Sequence, residues 1–118
     1  MKILFTSTGK GWSSRIDPRF GRAEYLLLYN TNDNTLTVID NTSVTNKAHG
    51  AGSATARKVY DLAPDVIITG NGPGDNAAVI LKHLNVKIFV NAHNYSIKEA
   101  LTMFNEGSLE LLSFSEKS

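Results

Sequence analysis

Four cations and one acid fall within thirteen residues: Lys10, Arg15, Arg19 and Arg22 against Asp17, in KGWSSRIDPRFGR at positions 10–22. That stretch is net +3, and because the whole chain is +1, everything else sums to −2. Guanidinium groups present forked N–H donors that match oxyanions and other anionic acceptors, so a basic loop leading into a buried strand is a fixed platform for negative charge. The plain alternative is a solvated loop whose arginines pair with nearby acids. Two aromatics sit in the same stretch. Trp12, the single tryptophan, is read as folding the loop onto the domain body, and Phe20 as a buried anchor holding Arg19 and Arg22 in place.

Glycine-rich turns are the second chemical feature. Gly50-Ala51-Gly52-Ser53 and Gly70-Asn71-Gly72-Pro73-Gly74 each precede a helical pattern, where free backbone N–H groups face an anion. Gly70-x-Gly72 fails the dinucleotide fingerprint, because Asp75 holds the third glycine position and Val90 and Asn91 stand where the ribose-binding acid belongs. Gly9-Lys10 is no phosphate loop, with Leu4 at the first glycine position and Gly11 at the Ser/Thr position. His49, His83 and His93 are isolated in sequence. His49, beside a glycine-rich helix start, is the strongest candidate ligand. His93 falls in the loop after the fifth strand, at the carboxyl ends of the strands where ligands collect in open α/β sheets, and His83 reads as a helix-end residue suited to the dipole. No paired acids, G-x-S-x-G elbow or cysteine nucleophile is present, so catalysis is not expected.

The elements that must position these residues follow from the apolar pattern. Ile3-Leu4-Phe5 lies within a first strand at about 2–7, and Tyr25 to Tyr29 is an unbroken apolar run, hence a second strand buried on both faces. Asn30 to Asn34 is a turn, and Thr35 to Asp40 an edge strand. A polar connector, Asn41 to Gly50, leads to a helix ending near Leu62 and stopped by Pro64. Asp65 to Thr69 is a buried strand. A second helix begins at Asp75 with a stripe of Ala77, Ile80, Leu81 and Leu84. Val86 to Val90 is a fifth strand. Ser96-x-x-Glu99 is a capping box opening a third helix, which Gly107 ends. Leu109 to Leu112 adds a short strand or packs down. Crossover helices require parallel strands and the hairpin antiparallel ones. The expectation is therefore one α/β domain over 1–118, a five-stranded mixed sheet with helices on both faces.

Composition bounds the rest. A 42% apolar and 19% charged chain of 118 residues is an ordinary globular domain. With no cysteine, disulfides and protein thiolate ligands are excluded. The local charge asymmetry argues against nucleic acid, which calls for a broad basic face. MKILFTS is too short for a signal peptide, and no run approaches the roughly 20 apolar residues of a bilayer span. No membrane role and a cytoplasmic location are expected.

Asp17-Pro18-Arg19-Phe20-Gly21-Arg22-Ala23-Glu24-Tyr25 before an apolar strand resembles the signature of the nitrogenase accessory-factor family of iron–molybdenum cofactor biosynthesis. Three further blocks match it in order: Gly50-Ala51-Gly52 opening a helix, Asp65 to Gly70 followed by Gly72-Pro73-x-x-Asn76-Ala77, and Val86 to Val90 followed by a helix ending Phe104-x-x-Gly107-x-Leu109. The resemblance covers nearly the whole chain. It implies a ribonuclease-H-like sheet ordered 3-2-1-4-5 with strand two antiparallel. It also implies non-catalytic binding or carriage of iron–molybdenum cofactor or a related iron–sulfur cluster or precursor, alongside other cofactor-assembly proteins. Nitrogenase-linked members resemble D-x-H-F-G here, whereas this chain has Arg19 at the histidine position. On this reading Arg15, Arg19 and Arg22 contact the anionic cluster. Gly50, Gly52, Gly72 and Asn76 shape its pocket, and His49 is the metal ligand. The alternative is a non-catalytic interaction domain that docks an acidic partner through the 10–22 loop.

Overall fold

The computed structural model describes residues 1–45 and 49–113. Six strands form one sheet in the order β3-β2-β1-β4-β5-β6. They are β1 Lys2–Ser7, β2 Tyr25–Asn30, β3 Thr35–Asp40, β4 Val66–Ile68, β5 Lys87–Val90 and β6 Glu110–Leu111. The helices are α1 Thr42–Thr45, α2 Ala51–Leu62, α3 Asp75–Leu81 and α4 Ile97–Asn105. β1 pairs antiparallel with β2 and parallel with β4, and β4 pairs parallel with β5. The mixed sheet and the antiparallel second strand match the sequence reading.

Strand alternation sends β1 into two cores. Leu4 joins Leu26, Ala56, Val59, Ile67, Ala77 and Leu81 on the face covered by α2 and α3. Ile3 and Phe5 join Leu27, Val66, Ile68, Ile97 and Ala100 on the face covered by α4. All three β1 side chains are fully buried, which is why the run is apolar without alternation. Each core supports the carboxyl ends of β1 and β4, where the candidate loops begin.

Three expectations need correction. The sheet has six strands, not five: the left-handed Gly107 (φ 73°) turns the chain out of α4, and β6 adds antiparallel to β5. Leu112 N then donates to Ile88 O at 2.7 Å, and Asn91 Nδ2 to Glu110 Oε1 at 2.6 Å. The stop of α2 is Ala63, itself left-handed (φ 49°, ψ 56°), whose N–H reaches Val59 O and Tyr60 O; Pro64 only follows. The second predicted helix ends at Leu81, with tight i→i−3 bonds from His83 N and Leu84 N, so His83 lies past the helix rather than in its last turn.

The connector hides a single helical turn, α1, started by Asp40, whose Oδ1 accepts from Thr42 N (2.8 Å) and Thr42 Oγ1 (2.6 Å). Its positions 46–48 lie outside the described residues. The capping box of α4 is present in both directions, Ser96 N to Glu99 Oε1 at 2.9 Å and Glu99 N to Ser96 Oγ at 3.1 Å.

Candidate functional site

Two buried threonines, Thr6 at the end of β1 and Thr69 just past β4, stand at the floor of the site. Their hydroxyl oxygens are 2.8 Å apart, and Thr6 Oγ1 is 3.0 Å from Asp17 O. Asp17 N donates to Thr6 O (2.9 Å), Gly70 N to Asp17 O (3.3 Å) and Asn71 N to Pro18 O (2.7 Å). The basic loop is thereby laid across the strand ends. Its first half is held by the β5–α4 turn, with Ile16 N on Tyr95 O, Ile97 N on Ser14 O and Lys98 N on Trp12 O. Trp12 meets Phe5 and Tyr29 edge-on, at ring centroid distances of 6.4 and 5.2 Å, as a residue that folds the loop onto the body should.

The second half is pinned to α2. Phe20 is 3% exposed, the anchor expected from sequence. Thr55 Oγ1 donates to Gly21 O (2.7 Å), and Asn41 Nδ2 to Ala23 O (2.9 Å) and Thr55 Oγ1 (3.0 Å). Two close approaches complete the frame. A Cβ on Gly21 would lie 2.7 Å from Gly52 Cα. One on Gly70 would lie 2.4 Å from Pro18 Cα and 3.0 Å from His93 Cβ. Only glycine lets the loop sit this near α2 and the β4 turn.

Among the described residues one of the four loop cations is paired with an acid. The fully buried Asp17 carboxylate accepts from Arg19 N (2.9 Å), Nε (3.1 Å) and Nη2 (3.1 Å), while the Arg19 side chain stays 55% exposed. Hydrogen bonding and then the charge of Asp17 raise the Arg19 pKa. The other cations rest on uncharged groups: Arg15 Nη1 on Asn94 O (3.2 Å), Arg22 Nη1 on Thr45 O (2.8 Å) and Lys10 Nζ over the Tyr25 ring (5.5 Å).

The three arginines are therefore strung along the carboxyl edge of the sheet. Arg15 stands at the α4 end, Arg19 over β1 and β4, and Arg22 toward α1. Among the described residues they share no hydrogen-bond partner. A depression of about 960 Å³ opens elsewhere, between the Trp12 loop and α4, lined by Trp12, Tyr95, Lys98, Thr102 and Met103.

The remaining predicted residues separate. Gly50, left-handed at φ 79°, is the N-cap of α2, and no side chain among the described residues caps that helix. The first α2 bond is Ala54 N to Gly50 O, and the preceding N–H groups have no partner among the described residues. Gly52 belongs to this corner, and exposed His49 stands at its entrance. Asn76 is exposed on the first turn of α3. Gly72 lies against Leu112 and Val90, on the β5–β6 side, and so supports the sheet edge more than a pocket with the arginines. Among the described residues no three His, Cys, Asp or Glu side chains are grouped to hold a metal ion, and His49 belongs to no such group.

Sequence reasoning missed the role of Gly21, Gly70, Thr6 and Thr69, whose meaning lies in contacts across 11 to 63 positions. It also missed His93 Nδ1, buried without a hydrogen-bond partner among the described residues.

The family model described as dinitrogenase iron-molybdenum cofactor matches residues 1–107. The apo form of the orange protein from Desulfovibrio gigas superposes with a TM-score of 0.88 at 25% identity, over 98% of this chain and 96% of that one. A Thermotoga protein described as NifB-like superposes at 0.80 with 32% identity, over 99% and 98%. A search of curated proteins gives no match. No helix among the described residues is long and apolar enough to cross a membrane.

Proposed function

This chain belongs to the dinitrogenase iron-molybdenum cofactor family, and from that premise we propose that it binds and carries an anionic metal–sulfur cluster, iron–molybdenum cofactor or a related cluster or precursor, as cargo and without turnover. The observation that carries this reading is the Asp17–Arg19 fork. A buried carboxylate fixes a half-exposed guanidinium between two glycine-built corners, one at the uncapped start of α2 and one at the β4 turn. Such a cradle of N–H donors fits a cluster that brings its own sulfurs, since the chain has no cysteine to supply any.

In this reading Arg19 orients the cluster, Arg22 adds charge, the N–H groups near Gly50 and Gly52 that have no partner among the described residues add donors, and His49 stands at the rim. Arg15 contributes long-range attraction rather than contact, given its place beside Asn94. Support also comes from the orange protein, whose solved structure is named as an apo form. Arg19 suits a hydrogen-bonding role; replacing it by histidine introduces an imidazole able to ligate metal.

The test is anaerobic titration of the purified protein with iron–molybdenum cofactor, simple iron–sulfur clusters and phosphate-bearing metabolites. Saturable binding of a cluster, weakened in Arg19→Ala, is the expected result. Binding of one metabolite with no cluster bound sinks the carrier reading.

A second reading, docking of an acidic protein partner through the 10–22 loop, is favoured by one specific observation: Lys10, Arg15 and Arg22, which have no acid partner among the described residues, rest on separate groups along an edge. It predicts salt-sensitive binding of an acidic polypeptide in the absence of any cluster binding.

A further inference from the structure

The turn after β5 is fixed at its root. Asn91 N donates to Gly70 O (2.7 Å), Ala92 N to Thr69 O (3.2 Å) and Tyr95 N to Ala92 O (3.1 Å). His93 projects from this turn with its Cβ packed over Gly70 beside Pro18, the residue preceding Arg19. The polar groups around it are occupied: the Thr6 and Thr69 hydroxyls by each other and by Asp17 O, and the Asp17 carboxylate by Arg19. His93 is the exception. Its Nδ1 is enclosed and has no partner among the described residues. His93 is part-exposed while Nδ1 is enclosed, and Nε2 makes no hydrogen bond to the described residues, so Nε2 is the nitrogen left to face outward.

A neutral imidazole carries one proton, and its position follows from what each nitrogen meets. A proton on Nδ1 would bury an N–H with no acceptor; a proton on Nε2 leaves only a bare lone pair inside. The enclosure therefore selects the Nε2–H tautomer. We infer that His93 is a further cargo-binding residue, donating a hydrogen bond from Nε2–H to a sulfur or oxygen of the anionic cluster rather than ligating its metal. This rests on the carrier reading. Metal-ligating histidines donate their second N–H to a fixed acceptor, and His93 lacks one. An N–H donor beside Arg19 extends the cradle with no added charge.

The test uses the full chain labelled with ¹⁵N at its histidines, with His93 assigned by its loss in His93→Gln. In the free protein at pH 8, Nε2 should be the protonated nitrogen. Saturation with tetrathiomolybdate, a diamagnetic metal–sulfur anion, should move the His93 Nε2 resonance with its proton retained, while His83, remote past α3, stays put. Anaerobic titrations with iron–molybdenum cofactor provide the second arm. His93→Leu should weaken binding by roughly two- to tenfold, the loss of one neutral hydrogen bond, and His93→Gln, which keeps an N–H donor, should stay near the parent. A protonated Nδ1 in the free protein, a ring silent on binding, or an Nε2 stripped of its proton overturns the inference and leaves the carrier reading intact. Failure of tetrathiomolybdate, iron–molybdenum cofactor and simple iron–sulfur clusters alike to bind the parent protein overturns both.

Discussion

Asp17 commits its carboxylate to a single neighbour two residues along the chain, and that choice organises the loop. A fully buried carboxylate is tolerable only when its acceptor sites are filled, and Arg19 fills them with one backbone and two side-chain donors. Arg19→Ala removes both side-chain donors. It should cost about 1–3 kcal/mol of stability, toward the lower end because the guanidinium is half in water. Urea unfolding measures this, and adding Asp17→Asn should return part of the loss; an additive double mutant would show that the two do not interact. The Arg19 contribution should show no pH dependence near neutrality. A raised arginine pKa contributes stability that is complete below the ordinary arginine value and is lost only as pH climbs through the higher folded one. Sequence displayed one acid among four cations but not which cation would take it. That was decided by Pro18 and the β4 turn, which hold Asp17 against Thr6 and Gly70.

At the scale of elements, the close approaches separate glycines that sequence had treated alike. Gly70→Ala and Gly21→Ala drive a methyl into backbone atoms at 2.4 and 2.7 Å, so each should lose about 1–3 kcal/mol and loosen the loop. Gly52→Ala meets only Ala77 Cβ at 3.9 Å and should be neutral or stabilising by up to about 1 kcal/mol through helix propensity. Thermal melts of the three variants check the ranking, and a Gly52→Ala as damaging as Gly70→Ala would refute it. The turn into α1 makes a separate prediction. Asp40 is held below the usual carboxylate range by the Thr42 hydroxyl and backbone N–H. Its contribution is therefore complete above the ordinary aspartate value and is lost as pH falls through the lower folded one. Asp40→Asn should flatten the acid limb of stability between those values, read by denaturant unfolding across pH. Strands, helices and the capping box were legible because they are written in local periodicity and caps. α1 was not, since it needs one side-chain turn of four residues, and β6 was left open between a strand and a packed segment, because it depends on Gly107 returning the chain to Ile88. The candidate site was legible as a loop and two glycine turns. Its real contacts, Gly21 on Gly52 and Pro18 on Gly70, are tertiary and left no local mark.

Over the whole molecule, charge is arranged more informatively than it is summed. The chain is net +1, yet Lys10, Arg15 and Arg22 lie along the carboxyl edge with no acid within ion-pairing distance among the described residues, while Arg19 alone is neutralised locally. Cations resting on carbonyls and a ring keep their full charge toward solvent, so the edge attracts anions while the remainder of the surface is weakly acidic. This makes the carrier reading quantitative. Arg19 gives contact; the other three give a shared field that no one of them dominates. Lys10→Gln, Arg15→Gln and Arg22→Gln should each weaken cluster binding by a similar, small factor. That factor is roughly 1.5- to 5-fold, the range of an exposed charge interaction. The triple variant should lose about the product of the three, because the sites are separated along the edge. Raising ionic strength should weaken the parent protein in the same direction and leave the triple variant nearly unresponsive, since the screened charges have been removed. Anaerobic cluster titrations at low and physiological salt measure all of this. If one substitution abolishes binding while the other two do nothing, that residue touches the cargo and the distributed field is the wrong description. If none of the three matters at any salt concentration, the edge cations serve a protein partner, and the acidic-polypeptide titration becomes the deciding measurement.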